Sequence, residues 1–249
     1  GSVIALEIKP AIAEGTLIAP RIVAAGYIIT QTFGHGDIHY LPPEWVDVRT
    51  SKKVFLSSLI CDGVDECRKA TRYALREGAD FIKICSSGGV MSEKDRPEYV
   101  QFTVDEIKAI VQEAKHAMKF VASHAQSAEG IKNAIIAGVK TIEHGIYIDE
   151  EGIELAKERN VIIVPTFSVV EHVLTYGKEV GVPEWGLKKA EEVYKDHVQN
   201  IRKAYRAGVK IATGTDFGGG VKAFKHGLNA LEIQLLTEKL GMMTAEALV

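Results

Sequence analysis

Residues 120–145 read FVASHAQSAEGIKNAIIAGVKTIEHG, and this stretch decides the fold. Two short apolar runs, 120–123 and 140–143, each lead into a histidine, His124 and His144. Between them Ile131, Ala134, Ile135 and Val139 recur at helical spacing. The pattern is strand, helix, strand, with an imidazole at the same end of both strands. Two neighbouring parallel strands that finish in histidine can bring both rings to one ion.

Working outward, the same entry into a strand occurs three times, as EGADFIKI (77–84), AGVKTIEH (137–144) and AGVKIATGTD (207–216). In each, a glycine ends a helix and a short β-branched run follows. Strands are expected at 21–29, 80–85, 120–123, 140–143, 161–167 and 209–214, six in all. The intervening segments predict helices. One ends at Gly15 with Pro10 in its middle, one is capped by Asp62 and runs to about residue 77, and one opens with a Thr103/Glu106 capping box. Further helices are expected over 149–159, twice within 168–206 around Pro183, and over 229–240. Strands alternating with helices give βαβ units and a parallel sheet. Right-handed crossovers then put every strand's carboxyl end on one side, which is where barrels of this type carry their chemistry. The fold class expected is α/β, a (β/α)8 barrel with about six of its eight strands in this chain, spanning residues 3–249. Gly1-Ser2 reads as an expression scar.

Composition narrows the function. The chain has 249 residues, 46% hydrophobic and 25% charged, with a formal charge of −3, so nothing favours nucleic acid or an anionic membrane as partner. The three cysteines, Cys61, Cys67 and Cys85, follow no ligand or pairing pattern, which suggests buried thiols in a reducing, cytoplasmic setting. No apolar run is long enough to span a bilayer.

The candidate chemistry sits at strand ends. Lys83, His124, His144 and Asp216 all fall there. An ammonium between Ile82 and Ile84 is costly unless paired or neutralised. Lys83 therefore either packs its stem and reaches solvent, or has its charge changed as a Schiff base or a carbamate. Asp216, in GTDFGGG, caps a turn or serves as a ligand and proton acceptor. His35, beside Gly36-Asp37 in the long loop 30–45, is a candidate for the site lining. His172, Tyr176 and His226 follow the last two strands and are candidates for substrate contact. His116 and His197 fall on charged helices and are expected at the surface. The glycines at 88–89 and 218–220 complete no nucleotide-binding pattern.

Taken together, FIKICSSGGVMS (81–92), VASHAQSAEGI (121–131), TIEHG (141–145), VPTF (164–167) and GTDFGG (214–219) resemble the metal-dependent amidohydrolase superfamily. The nearer likeness is to its prolidase-like and imidazolonepropionase-related branch, and it extends over nearly the whole chain. The resemblance implies a barrel holding one or two divalent metals, usually zinc. Lys83 would carry a CO2-derived carbamate bridging the two, His124 and His144 would bind the more exposed metal, and Asp216 would bind the buried one. A metal-bound hydroxide would attack an amide carbonyl and Asp216 would pass its proton to the leaving nitrogen. Dipeptides or N-acylated amino acids are the implied small-molecule substrates. One departure stands out: the family's first-strand His-x-His pair occurs nowhere in the 249 residues. An internal portion of a barrel, catalytically incomplete and associating through open sheet edges as a homo-oligomer, is the alternative. A Schiff-base lyase using Lys83 is a third reading that leaves both histidines without a use.

Overall fold

Each of the three repeated entries turns on a glycine in the left-handed region. Gly78, Gly138 and Gly208 have φ of 91°, 100° and 89°, which a side chain at these helix ends would disfavour. The computed structural model describes residues 3–50, 58–218 and 224–248. Gly1-Ser2 and the last two glycines of the 218–220 run lie outside the described residues.

Seven strands form one sheet: β1 (Ile28–Thr30), β2 (Ser58–Ile60), β3 (Ile82–Cys85), β4 (Val121–Ala125), β5 (Thr141–His144), β6 (Ile162–Val164) and β7 (Lys210–Ile211). All pairings are parallel, in the order β2-β1-β3-β4-β5-β6-β7. The parallel barrel architecture is thus as expected, with one more strand than the six read from the sequence. The missed strand is β2, whose three residues are too few to show a period. It lies on the far side of β1 from β3, with Ile28 opposite Ser58. Among the described residues β2 and β7 are the two edges of the sheet.

The helices between strands are α4 (Val64–Arg76), α5 (Val104–His116), α6 (Ala128–Ala137) and α7 (Glu150–Glu158), following three short ones at Val3–Glu7, Lys9–Ala13 and Pro43–Val46. Pro10 opens the second of these instead of interrupting one longer helix. The Thr103/Glu106 capping box forms as expected, and Ser127 and Asp149 cap α6 and α7. Asp62 does not cap α4: its carboxylate instead accepts from the Thr32 backbone N–H at 3.0 Å and the Thr32 hydroxyl at 2.6 Å. After β6 come α8 (Phe167–Tyr176) and the long α9 (Glu184–Arg206). The predicted last helix is split into α10 (Leu231–Leu235) and a wider π-helical turn, Leu236–Leu240.

Side-chain alternation divides the sheet into two faces. Ile82, Ile84, Ile142 and Ile163 point toward the helix layer and are essentially fully buried in the main core. Lys83, Cys85, Ala122, His124, Thr141 and Glu143 share the opposite, inner face, in register across β3, β4 and β5. Polar chemistry is thereby concentrated on the inner face of the sheet. Replacing Ile142 by Ala removes fully enclosed volume from the helix-facing layer and should cost about 2–5 kcal/mol. A fall in the urea midpoint at unchanged m-value would show it.

Candidate active site

Register places these residues differently from the simple symmetry of the two histidines. His124 stands opposite Glu143, and His144 stands opposite Ala125, one residue further along. By strict alternation Glu143 faces inward and His144 outward. The backbone corrects this at His144 itself, whose φ of 73° turns the chain at the strand end. The His144 ring then meets the His124 ring edge-on, with centroids 4.7 Å apart.

Glu143 takes the inner position and answers the lysine. Lys83 Nζ donates to Glu143 Oε2 at 2.9 Å, and the Thr141 hydroxyl donates to Glu143 Oε1 at 2.6 Å. Burial pushes the Lys83 ammonium down, but the Glu143 carboxylate, with smaller pulls from Cys85 and Asp216, leaves it above the ordinary lysine value. Lys83 is therefore a charged ammonium held by a carboxylate. Asp216, with φ of 55°, lies across the same hollow of about 550 Å³ as Lys83, Ala122 and Glu143. The protein around its carboxyl raises its pKa, against the pull of Lys83, while the residue stays open to solvent.

Hydrogen-bond logic fixes the imidazole tautomers. A carbonyl only accepts, so His124 donates its Nε2–H to the Gly88 carbonyl at 3.0 Å. The Thr166 hydroxyl donates to the Pro165 carbonyl at 2.6 Å, so at 2.7 Å it accepts from His144 Nδ1–H. Thr166 holds this position with φ of 58°, fixed by the next turn. There the buried Glu232 carboxylate accepts the Phe167 and Ser168 N–H groups, at 2.9 and 2.7 Å, at the start of α8. His35 stacks on His124 with centroids 4.0 Å apart, and its Nδ1 lies 2.8 Å from the Ser92 hydroxyl. Ser92 donates to Asp95, so His35 Nδ1 is the donor to Ser92. Buried Lys189 of α9 pins this loop by donating to the carbonyls of Ser92 and Asp95.

Burial lowers His35 to about 4, with Asp95 opposing, and holds His124 and His144 well below the usual histidine range. All three rings are neutral at pH 7.

These pairings overturn the expected metal and carbamate chemistry. Among the described residues no group of three or more His, Cys, Asp or Glu side chains is placed to hold a metal ion. His124 spends Nε2 on Gly88, and Lys83 is paired as a cation with Glu143 where a carbamate would need a neutral amine. The residues present do not fit a divalent zinc-like ion or a carboxylated lysine.

The remaining expected residues divide. His35 joins His124, His144 and Asp216 in one small hollow. His172 instead packs edge-on or tilted against Tyr176, Phe217 and Phe224, at centroid distances of 5.2, 5.0 and 6.1 Å. His226 is exposed two residues beyond Phe224. His197, expected at the surface, is fully buried against Phe167 and donates to the His144 carbonyl at 3.1 Å. Sequence reading missed Glu143, Glu232 and Lys189. Glu143 had a visible signal, an acid between Ile142 and His144 in a buried strand that matches the lysine in FIKIC.

Residues 5–248 match the amidohydrolase family. Ochratoxinase of Aspergillus niger is 39% identical over 249 aligned residues, 97% of this chain and 50% of that protein. The crystal structure of A. niger ochratoxinase superposes with a TM-score of 0.89 at 38% identity, covering 98% of this chain and 56% of that one. A Xaa-Pro dipeptidase crystallised with methionine in its active site gives 0.83 at 38% identity, over 99% and 59%. The chain belongs to the amidohydrolase family. It spans about half the length of the curated relatives it matches first.

Two outcomes follow from the electrostatics. Glu143→Leu should destabilise the chain by about 1–3 kcal/mol, less than the ~3–5 kcal/mol of a fully enclosed pair because both partners keep some solvent contact. The double variant Lys83→Met/Glu143→Leu should recover most of the loss in urea titrations. Burial also holds His197 at about 4. Its folded value lies below the unfolded one near 6.5, so the unfolded chain takes up protons first and stability falls as pH drops from about 6.5 to 4. His197→Gln should flatten that slope by up to ~1.4 kcal/mol per pH unit, read from Tm against pH.

Proposed function

We propose that this chain carries the substrate-facing part of an amide hydrolase and is catalytically incomplete as it stands. The family context supports hydrolysis of an amide C–N bond in a dipeptide or N-acyl amino acid as the chemistry of the whole protein. One observation carries the incompleteness: the Lys83 ammonium is neutralised by Glu143 at 2.9 Å, so the inner face offers a closed ion pair instead of an activating centre. The lack of a His-x-His pair in the sequence agrees with this.

Within this reading, Asp216 is the group for proton transfer at the barrel mouth, beside Lys83. His124 and His144 are neutral groups that orient the substrate amide. His35 faces the same hollow, and His172 with Tyr176 forms the aromatic margin of the mouth, with His226 beyond it. Three free, buried cysteines support a reducing compartment. No helix among the described residues is long and apolar enough to cross a membrane.

Incubating the 249-residue chain with a panel of dipeptides and N-acetyl amino acids, and measuring released amine, should give no turnover above buffer. Turnover that disappears in Asp216→Asn would overturn the proposal.

A further inference from the structure

Above the strand ends lies a second apolar cluster, separate from the main core and built from Val90, Ile146, Val170, Val173, Ala190 and Val193. Most of it lines a hollow of about 60 Å³ that His35, His124, His144 and Asp216 also border. Space of this size corresponds to roughly two waters at about 30 Å³ each. Met91 also borders the hollow and is 46% exposed, which leaves an unbranched, adaptable side chain at its outer edge.

One buried side-chain atom in this lining has no hydrogen-bond partner among the described residues. Gln126 is 4% exposed, and its backbone is fully engaged: its N–H donates to Ser87 Oγ at 2.6 Å and its carbonyl accepts from Tyr147 N–H at 2.9 Å. Its side-chain Oε1 is buried with no hydrogen bond among the described residues. A buried acceptor left unmet costs about 1–3 kcal/mol, whereas an apolar residue of the same shape would cost nothing there. An uncommitted amide oxygen beside apolar walls suits a ligand that brings both a hydrocarbon group and an N–H.

We infer that this hollow is a specificity subsite for a small apolar amino-acid side chain, with Gln126 Oε1 accepting an N–H of the adjoining amide. The inference rests on the amide-substrate reading above, and it concerns recognition, not turnover. Val90, Ile146, Val170 and Val173 give the side chain its walls. Those four side chains offer a charged or hydroxylated group no hydrogen bond to replace its lost water. Gln126 marks the amide edge, in the same lining as His124 and His144.

The test is binding, so it does not depend on catalysis. The probes are N-acetyl-L-valinamide and N-acetyl-L-serinamide, titrated into the 249-residue chain by calorimetry or by NMR of the Ile146 and Val173 methyl groups. The valine probe should bind at least tenfold more tightly than the serine probe. Gln126→Leu should weaken the valine probe about fivefold while raising Tm, because it removes the unmet acceptor. Val173→Thr, a near-isosteric change, should reduce the preference between the probes. Equal affinities for the two probes, no binding of either, or a Gln126→Leu affinity unchanged from wild type would each overturn the subsite. Amine release without valine preference would sink this inference and the catalytic incompleteness together. Valine preference without amine release would support both.

Discussion

An ammonium on the inner face of a parallel sheet is tolerated only when a carboxylate meets it, and the Lys83–Glu143 pair supplies that condition here. The pair spans β4, since Lys83 is on β3 and Glu143 on β5, so it ties three strands together from the inside. It also sets the electrostatics of everything nearby. The lysine charge depresses the proton affinity of His35, His124 and His144 and opposes the upward push on Asp216. With the ammonium occupied, the three imidazoles stay neutral and spend their N–H groups on Ser92, Gly88 and Thr166.

The histidine that sequence symmetry singles out reaches its partner only through two residues with positive φ. His144 turns inward at φ of 73°, and Thr166 accepts its proton from φ of 58°. Each such position costs of order 1–3 kcal/mol unless its surroundings hold it. Glu232 supplies part of that hold, because its carboxylate satisfies the free N–H groups at the start of α8 and so fixes the turn that presents Thr166. A residue near the end of the described chain thereby orients a ring on β5 without touching it. Lys189 acts similarly on the loop that carries Ser92 and Asp95.

The parallel α/β architecture was legible in the sequence because it follows from local rules. Glycine at the helix ends, β-branched runs after it, and the capping residues Thr103, Ser127 and Asp149 all act within a few positions of themselves. Strand β2 was not legible, since three residues show no period. Asp62 misled because a cap and a bridge to Thr32 use the same carboxylate, and only packing of the two loops chooses between them. His197 misled for a related reason: α9 is highly charged along its length, yet one narrow face of it covers Phe167.

For the site, the sequence by itself determined which strands carry the polar and titratable side chains. His124 and His144 fall at the carboxyl ends of β4 and β5 and Asp216 beyond β7, whereas Lys83 is the second residue of β3, two positions short of its end. The tertiary structure alone decided what they do there. Register, which depends on pairing between strands far apart in the chain, put Glu143 and not His144 opposite His124, and so gave Lys83 a counter-ion in place of a metal. Spacing along one strand cannot reveal that choice, because a shift of one residue exchanges the two faces of a sheet.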